Sequence, residues 1–391
     1  MTAVLTDVNY RMSLALIRCL GEAGVSVVAC QRQNGTMPIG FASKYCARQQ
    51  LLPDDGYLDA LYEVCAEIAA EEGERPALLP VGAATLKLLA LPENRARFEA
   101  VCGLFLPAPE QLELLNDKER AAALAVSCGV PVPRAWQREP EESESAFLAR
   151  VPLPCVVKPH CGEALGLTAA DRYVIARDRT TLEQAFALFR DRAGEAPLVQ
   201  EYLPGGALGC SVLAENGVVL RHICHRRIRE YPITGGPSSC CDAIRHPELE
   251  DYVNRMAAAC GYSGLAMFEF KEDAEGQPRL LEVNPRIWGT YPLTRVAGTN
   301  FSLLWFLLSY NAGNPDNPFP LPPAPEYALR RMTFFPTDQR AARAYRRAGQ
   351  AHRAKGAFRD LLTAKDGLFE WGDPRPAFRY WRSLLQRGRG A

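Results

Sequence analysis

The apolar residues change period along the chain, and the changes mark out its elements. Ala3-Val4-Leu5 is a short apolar run that predicts a strand. Over 11–23, Met12, Leu16, Cys19 and Leu20 recur at the spacing of one helix face. Gly24 ends that helix. Residues 25–29 are continuously apolar, as in a parallel strand covered on both faces. The same reading predicts an amphipathic helix over 57–72, a strand over 77–81, a helix over 85–91 and a strand over 104–106. Residues 1–110 therefore predict a small doubly wound α/β domain. Its first turn, Thr6-Asp7-Val8-Asn9-Tyr10, has no glycine. A nicotinamide cofactor needs glycine there for close backbone approach.

The pattern then turns to α+β. A helix opens at Asn116-Asp117-Lys118 and runs to about 128, where Gly129 to Pro133 breaks it. Strands are predicted over 153–158, 173–175 and 198–202, with a helix over 181–191. Residues 210–214 and 218–221 form a hairpin around Glu215-Asn216-Gly217, an Asn-Gly turn. A helix over 248–260 precedes a second hairpin, 264–271 with 279–283, around Asp273-Ala274-Glu275-Gly276. Six prolines between Pro315 and Pro325 mark a linker or a surface-hugging extended segment. Basic helices are predicted over 338–353 and 377–387; a solvated terminal helix is the simpler reading of this tail, and a segment that covers a cleft or binds a partner is the alternative. The divisions expected are 1–110, 111–200, 201–314 and 315–391.

Composition narrows the function. Lys plus Arg and Asp plus Glu are both 45 in 391 residues, which argues against a dedicated nucleic-acid binder. No apolar run approaches the ~20 residues of a membrane span, so no membrane partner is expected. The N-terminus lacks a basic and then apolar secretory pattern. The 13 cysteines include no C-x-x-C pair, and most sit in apolar contexts. Free thiols in a reducing cytoplasm are expected; the adjacent Cys240-Cys241 could be reactive, but nothing nearby supplies ligand spacing and the plain structural reading is favoured.

Chemistry concentrates in a few places. Glu282 and Asn284 lie two apart on one predicted strand and so share a face, with Glu269 on the partner strand. Two carboxylates and an amide oxygen suit Mg²⁺, which takes hard oxygen ligands together with substrate phosphates. Solvated strand residues are the alternative, but Leu280, Leu281 and Val283 surround them. Lys158 closes an apolar strand and can reach a phosphate, although lysine often simply ends a strand. Gly162 and Gly166 follow and let backbone N–H groups approach phosphate oxygens. The strand end at Gln200-Glu201-Tyr202-Leu203 can read an adenine edge, or is an ordinary strand end. Strand alternation puts Arg227 and Arg229 on one face, where two guanidiniums can grip a carboxylate and stabilise developing charge.

In this order VVKP (156–159), VQEYLPGG (199–206) and LLEVNPR (280–286) resemble the ATP-grasp superfamily over residues 117–295. The run HRRIRE followed by GGPS resembles that of its carboxylate–amine ligase-like members. The resemblance implies an N-terminal α/β domain, an ATP-grasp fold of two α+β subdomains and a helical tail. The small subdomain with its phosphate loop would occupy 111–200 and the large one 201–314. It assigns Lys118 and Lys158 to the ATP phosphates, and 162–166 to the loop that covers them. Glu201 and the Leu203 backbone would read adenine, with Glu201 open between adenine and ribose. Glu269, Glu282 and Asn284 would hold Mg²⁺, and Arg286 would contact the transferred phosphate or a substrate carboxylate. Two features depart from the family pattern: the loop is poor in glycine, and no acidic residue follows Pro204-Gly205-Gly206 for the ribose.

The expectation is an ATP- and Mg²⁺-dependent ligase joining a small carboxylic acid, such as an amino acid, to an amine. Its partners are those small molecules. Oligomeric state stays open, with a homodimer as the family's frequent form. The rivals are a phosphotransferase on the same fold and a non-catalytic ATP-binding regulatory protein. A biotin-dependent carboxylase fits less well, because no region offers a biotinyl-lysine module.

Overall fold

Four parallel strands open the chain in the computed structural model, which describes residues 1–35, 37–160, 165–167 and 173–387. They are β1 (Thr2–Leu5), β2 (Ser26–Arg32), β3 (Arg48–Leu52) and β4 (Ala77–Leu79), in sheet order β3-β2-β1-β4. The expected doubly wound domain is present. β3, sequence RQQLL, escaped the pattern because this edge strand opens with three polar residues and buries only its last leucine fully. The apolar stretch 104–106 forms no strand. Only a single parallel bridge, Ala77 to Gly103, marks its approach to the sheet.

The middle of the chain supplies a second, four-stranded sheet. It is built from β5 (Ala135–Trp136), β6 (Cys155–Lys158), β7 (Val174–Ala176) and β8 (Leu198–Glu201), in order β5-β8-β6-β7. The helix Lys118–Ser127 precedes it, its N-terminus capped by the Asp117 carboxylate on the Glu119 and Arg120 amides at 2.9 and 2.8 Å.

The third sheet has seven strands. These are β9 (Ala207–Glu215), β10 (Val218–Glu230), β11 (Ser238–Ile244), β12 (Gly264–Glu272), β13 (Pro278–Asn284), β14 (Arg331–Thr333) and β15 (Lys365–Asp366). Their order is β13-β12-β9-β10-β11-β14-β15. Cys210, Val212, Cys224, Ala266 and Phe268 pack with the helix Pro247–Ala259 on one face. The residues between them, Leu213, Ile223, Ala243, Leu265 and Met267, join the core of the N-terminal domain. Farther along the strands that second face changes from apolar to polar, at His225, and then to charged, at Arg227 and Glu269.

The C-terminal segment departs from a solvated tail. After the proline stretch, whose Pro322 and Pro323 carbonyls accept from Arg221, the chain adds β14 and β15 to the large sheet. Asp373 then accepts from the buried Arg18 guanidinium and from Ser43 Oγ, tying the tail to the N-terminal domain. Among the described residues every cysteine is free, and Cys240 and Cys241 are fully buried. No described helix is long and apolar enough to cross a membrane.

Candidate active site

The β12–β13 hairpin sets the geometry. Its register places Glu269 directly opposite Glu282 and Met267 opposite Asn284. Asn284 Nδ2 lies 3.4 Å from both carboxylates, from Glu269 Oε1 and from Glu282 Oε1. The three side chains that strand alternation singles out are thus gathered at one point.

Cations surround them. Arg227 reaches from β10 across β9 to pair with Glu269 at 2.7 Å. Lys118, at the head of its helix, stands 3.9 Å from Glu282 Oε2. Lys158 closes β6 within the field of both carboxylates. Burial, then the neighbouring Lys118, pulls its pKa down to about 8 against the opposing pull of Glu282 and Glu269. Burial also raises Glu282, but Lys118, Lys158 and the Asn284 hydrogen bond outweigh it and hold the carboxyl below its usual range. Glu269 is pushed up by burial, a cost that an incoming cation would relieve.

His225 lies beside Arg227 on β10. Burial, then Arg227, drops its pKa to about 3, so the ring is neutral. Gly209 makes room for it: a Cβ there would sit 2.3 Å from His225 Cε1. Thr290 Oγ1 is 3.5 Å from His225 Nε2. The pairing escapes sequence reasoning, because 65 residues separate two side chains that only the fold brings together.

Other expected residues sit differently. Arg229 is not at the site. The register between β10 and β11 shifts on each side of it, so it does not share a face with Arg227. Its side chain is fully buried, bonded to Asp338 at 2.8 Å through two nitrogens and to Asp360 at 2.7 Å. Glu201 turns its carboxylate to the Arg134 amide at 3.1 Å, while Leu203 is buried. Between them the Tyr202 ring lies 5.4 Å from Arg177 and 5.2 Å from Lys271. Arg286 donates its backbone N–H to the Asn284 carbonyl at 2.8 Å and Nη1 to the Ile287 carbonyl at 3.2 Å. Gly166 has a left-handed backbone with φ 63°. Gly162 lies outside the described residues.

Among the described residues no group of three or more His, Cys, Asp and Glu is arranged for a metal. The candidate set instead joins two carboxylates to an amide, hard oxygen donors of the kind Mg²⁺ takes when phosphates complete its coordination.

A family described as "ATP-grasp in the biosynthetic pathway with Ter operon" matches residues 194–330, which include β9 to β13. The chain is 26% identical over 201 residues, 48% of its length, to a pyruvate carboxylase of Schizosaccharomyces pombe. It is 31% identical over 184 residues, 43% of its length, to a D-alanine--D-alanine ligase of Gloeobacter violaceus. It spans 16% of the carboxylase and 58% of the ligase. Among solved structures, the biotin carboxylase of Campylobacter jejuni superposes with a TM-score of 0.64 at 17% identity, covering 84% of this chain and 73% of that one. With three sheets in this order, a carboxylate hairpin ringed by cations and these matches, the chain is similar to the ATP-grasp superfamily and, within it, to carboxylate–amine ligase-like proteins.

Proposed function

We propose that the chain is an ATP- and Mg²⁺-dependent ligase. It activates a small carboxylic acid, such as an amino acid, as an acyl phosphate and joins it to an amine, releasing ADP and phosphate. The observation that carries this reading is the convergence of Glu269, Glu282 and Asn284 with Lys118, Lys158 and Arg227. Two carboxylates beside an excess of cations suit a magnesium–polyphosphate better than either ion alone. Glu269, Glu282 and Asn284 would hold Mg²⁺, which supplies charge neutralisation between the phosphates. Lys118 and Lys158 bind phosphate oxygens, and the end of β8, with the Leu203 backbone, takes the adenine.

A substrate carboxylate oxygen attacks the γ-phosphorus and ADP leaves. Arg286 and Arg227 stabilise the charge on the transferring group. A neutral amine then attacks the acyl carbon. The C–N bond forms, phosphate departs with the C–O electron pair, and the amine proton passes to solvent. His225 is too weakly basic to accept it.

Hydroxylamine tests the intermediate. With ATP, Mg²⁺ and the correct acid but no natural amine, it should intercept the acyl phosphate as a hydroxamate, and Arg286→Ala should lose the product. Release of AMP and pyrophosphate in place of ADP and phosphate would point to an adenylate and overturn the mechanism.

Lys158 gives a pH test. Its ammonium pKa is lowered to about 8 from the usual lysine value, and nucleotide phosphates bind the charged form. ADP affinity should therefore be full below pH 8. It should fall above it, by up to about tenfold per pH unit until the bound-state pKa is reached. Lys158→Met should bind ADP roughly 10–100-fold more weakly at neutral pH and lose that slope. Calorimetric titration across pH 7 to 9.5 reads both effects; a parallel slope in the variant would exclude Lys158 as the titrating group.

A further inference from the structure

Arg11 takes no part in the chemistry above, yet it is an unusual cation. It begins the helix Arg11–Glu22, whose first turn has no acidic residue, so the helix dipole adds positive potential there. The preceding turn is firmly held. Asp7, left-handed at φ 55°, accepts the Gly82 amide at 3.0 Å on its carboxylate and Ser13 Oγ at 2.8 Å on its carbonyl.

The guanidinium is half-buried. Its Cζ lies 3.7 Å from the centroid of the buried Phe334 ring. Among the described residues it has no hydrogen bond and no ion pair. The groups whose fields it feels are Tyr380, Cys241 and Asp366. Asp366 gives its carboxylate to the amides of Phe335, Leu368 and Phe369 at 2.7, 2.8 and 2.7 Å. Burial pulls the Arg11 pKa below the usual arginine value. A cation withdrawn from water without a partner is costly unless an anion joins it.

Its position points to the candidate site. A Cβ on Gly289 would sit 3.6 Å from Arg11 Nη2. Gly289 follows Arg286 by three residues and adjoins Thr290, which faces His225. Cys241, the β11 partner of Arg227, lies within electrostatic reach of both Arg11 and Arg227. In the sheet order, β11 is three strands from β12, which carries Glu269. At about 4.8 Å per strand that is roughly 14 Å, beyond the reach of the reacting carboxyl.

We propose that Arg11 binds a second carboxylate, carried by the substrates at an end remote from the reacting group. The ligase would then take a dicarboxylic acid, or an amine that is itself an amino acid. The role of that carboxylate rests on the ligase reading; the anion site rests on the Arg11 geometry.

The test titrates the full chain, held with Mg²⁺ and a non-hydrolysable ATP analogue, with the common L-amino acids and the dicarboxylic acids from oxalate to adipate. Each is compared with its amide, and ADP release with ATP is measured in parallel. Arg11→Met keeps the stem on Phe334, and Arg11→Lys keeps the charge. The expected result is a carboxylate ligand whose Kd rises roughly 10–100-fold in Arg11→Met and less in Arg11→Lys. Nucleotide affinity should stay unchanged, and the amide should bind both proteins equally weakly. Amidating the acid in one arm and the amine in the other identifies which carries the second carboxylate. Arg11-dependent binding without ADP release upholds the anion site and rejects the ligase reading. ADP release with equal affinity in parent and Arg11→Met rejects the anion site alone. An amide that binds as tightly as its acid, or no ligand in the panel, also overturns the proposal.

Discussion

Arg229→Met should destabilise the fold by about 3–5 kcal/mol, the cost of breaking a buried ion pair and leaving its partners uncompensated. The guanidinium is fully buried between Asp338 and Asp360, and Ser239 Oγ also donates to Asp338 at 3.0 Å. Arg331 continues the network, bonding Asp360 at 2.9 Å and Asp242 at 2.6 Å. Removing Arg229 strands Asp338 with no other cationic partner among the described residues and leaves Asp360 to Arg331 and the exposed Arg359. Denaturant unfolding should show an earlier midpoint. Replacing Arg229, Asp338 and Asp360 together with apolar residues of similar volume should recover most of the loss. Folded Arg229→Met should retain ADP affinity. A variant that keeps its midpoint but loses turnover would return Arg229 to the reaction.

That network also explains a limit of sequence reading. Period-two alternation holds only while a strand keeps its register, and β10 shifts register on both sides of Arg229. A bulge leaves no mark in the one-dimensional pattern, so two arginines two apart look equivalent. The β12–β13 hairpin was legible for the opposite reason. A short Gly-containing turn fixes its pairing, and the only register shift follows Glu269, leaving Glu269 and Glu282 face to face. Lys158 was legible because an apolar run must end where a polar site begins.

What joins distant segments was not legible. Arg11 and Gly289 are 278 positions apart, and His225 with Thr290 meets only once β10 and the loop after β13 are folded. Edge strands were missed on similar grounds. β3 and β15 bury too little to impose an apolar pattern, and β15 pairs through two residues only. The basic composition of the tail suggested solvation, but Arg18 and Arg229 pair with its acidic residues from inside the fold.

Glu282→Gln should lower turnover by roughly 10²-fold or more while leaving the chain folded. The carboxyl is held ionised because Lys118 and Lys158 outweigh the effect of its burial, so the neutral amide removes a full negative charge from the point where Mg²⁺ would sit. Two consequences separate this from general damage. The Mg²⁺ concentration for half-maximal turnover should rise roughly tenfold or more, since affinity for a hard cation follows the charge of its ligands. Metal-free ADP should bind as well as before or more tightly, because Lys118, 3.9 Å away in the parent, loses its competing carboxylate and is released to phosphate. Asn284 keeps an acceptor on Glu269, and the hairpin backbone is untouched, so the unfolding midpoint should move little. Turnover at the parent rate across a Mg²⁺ series would remove the hairpin from the metal site. A loss of turnover with unchanged Mg²⁺ dependence would instead assign Glu282 to orienting Lys118.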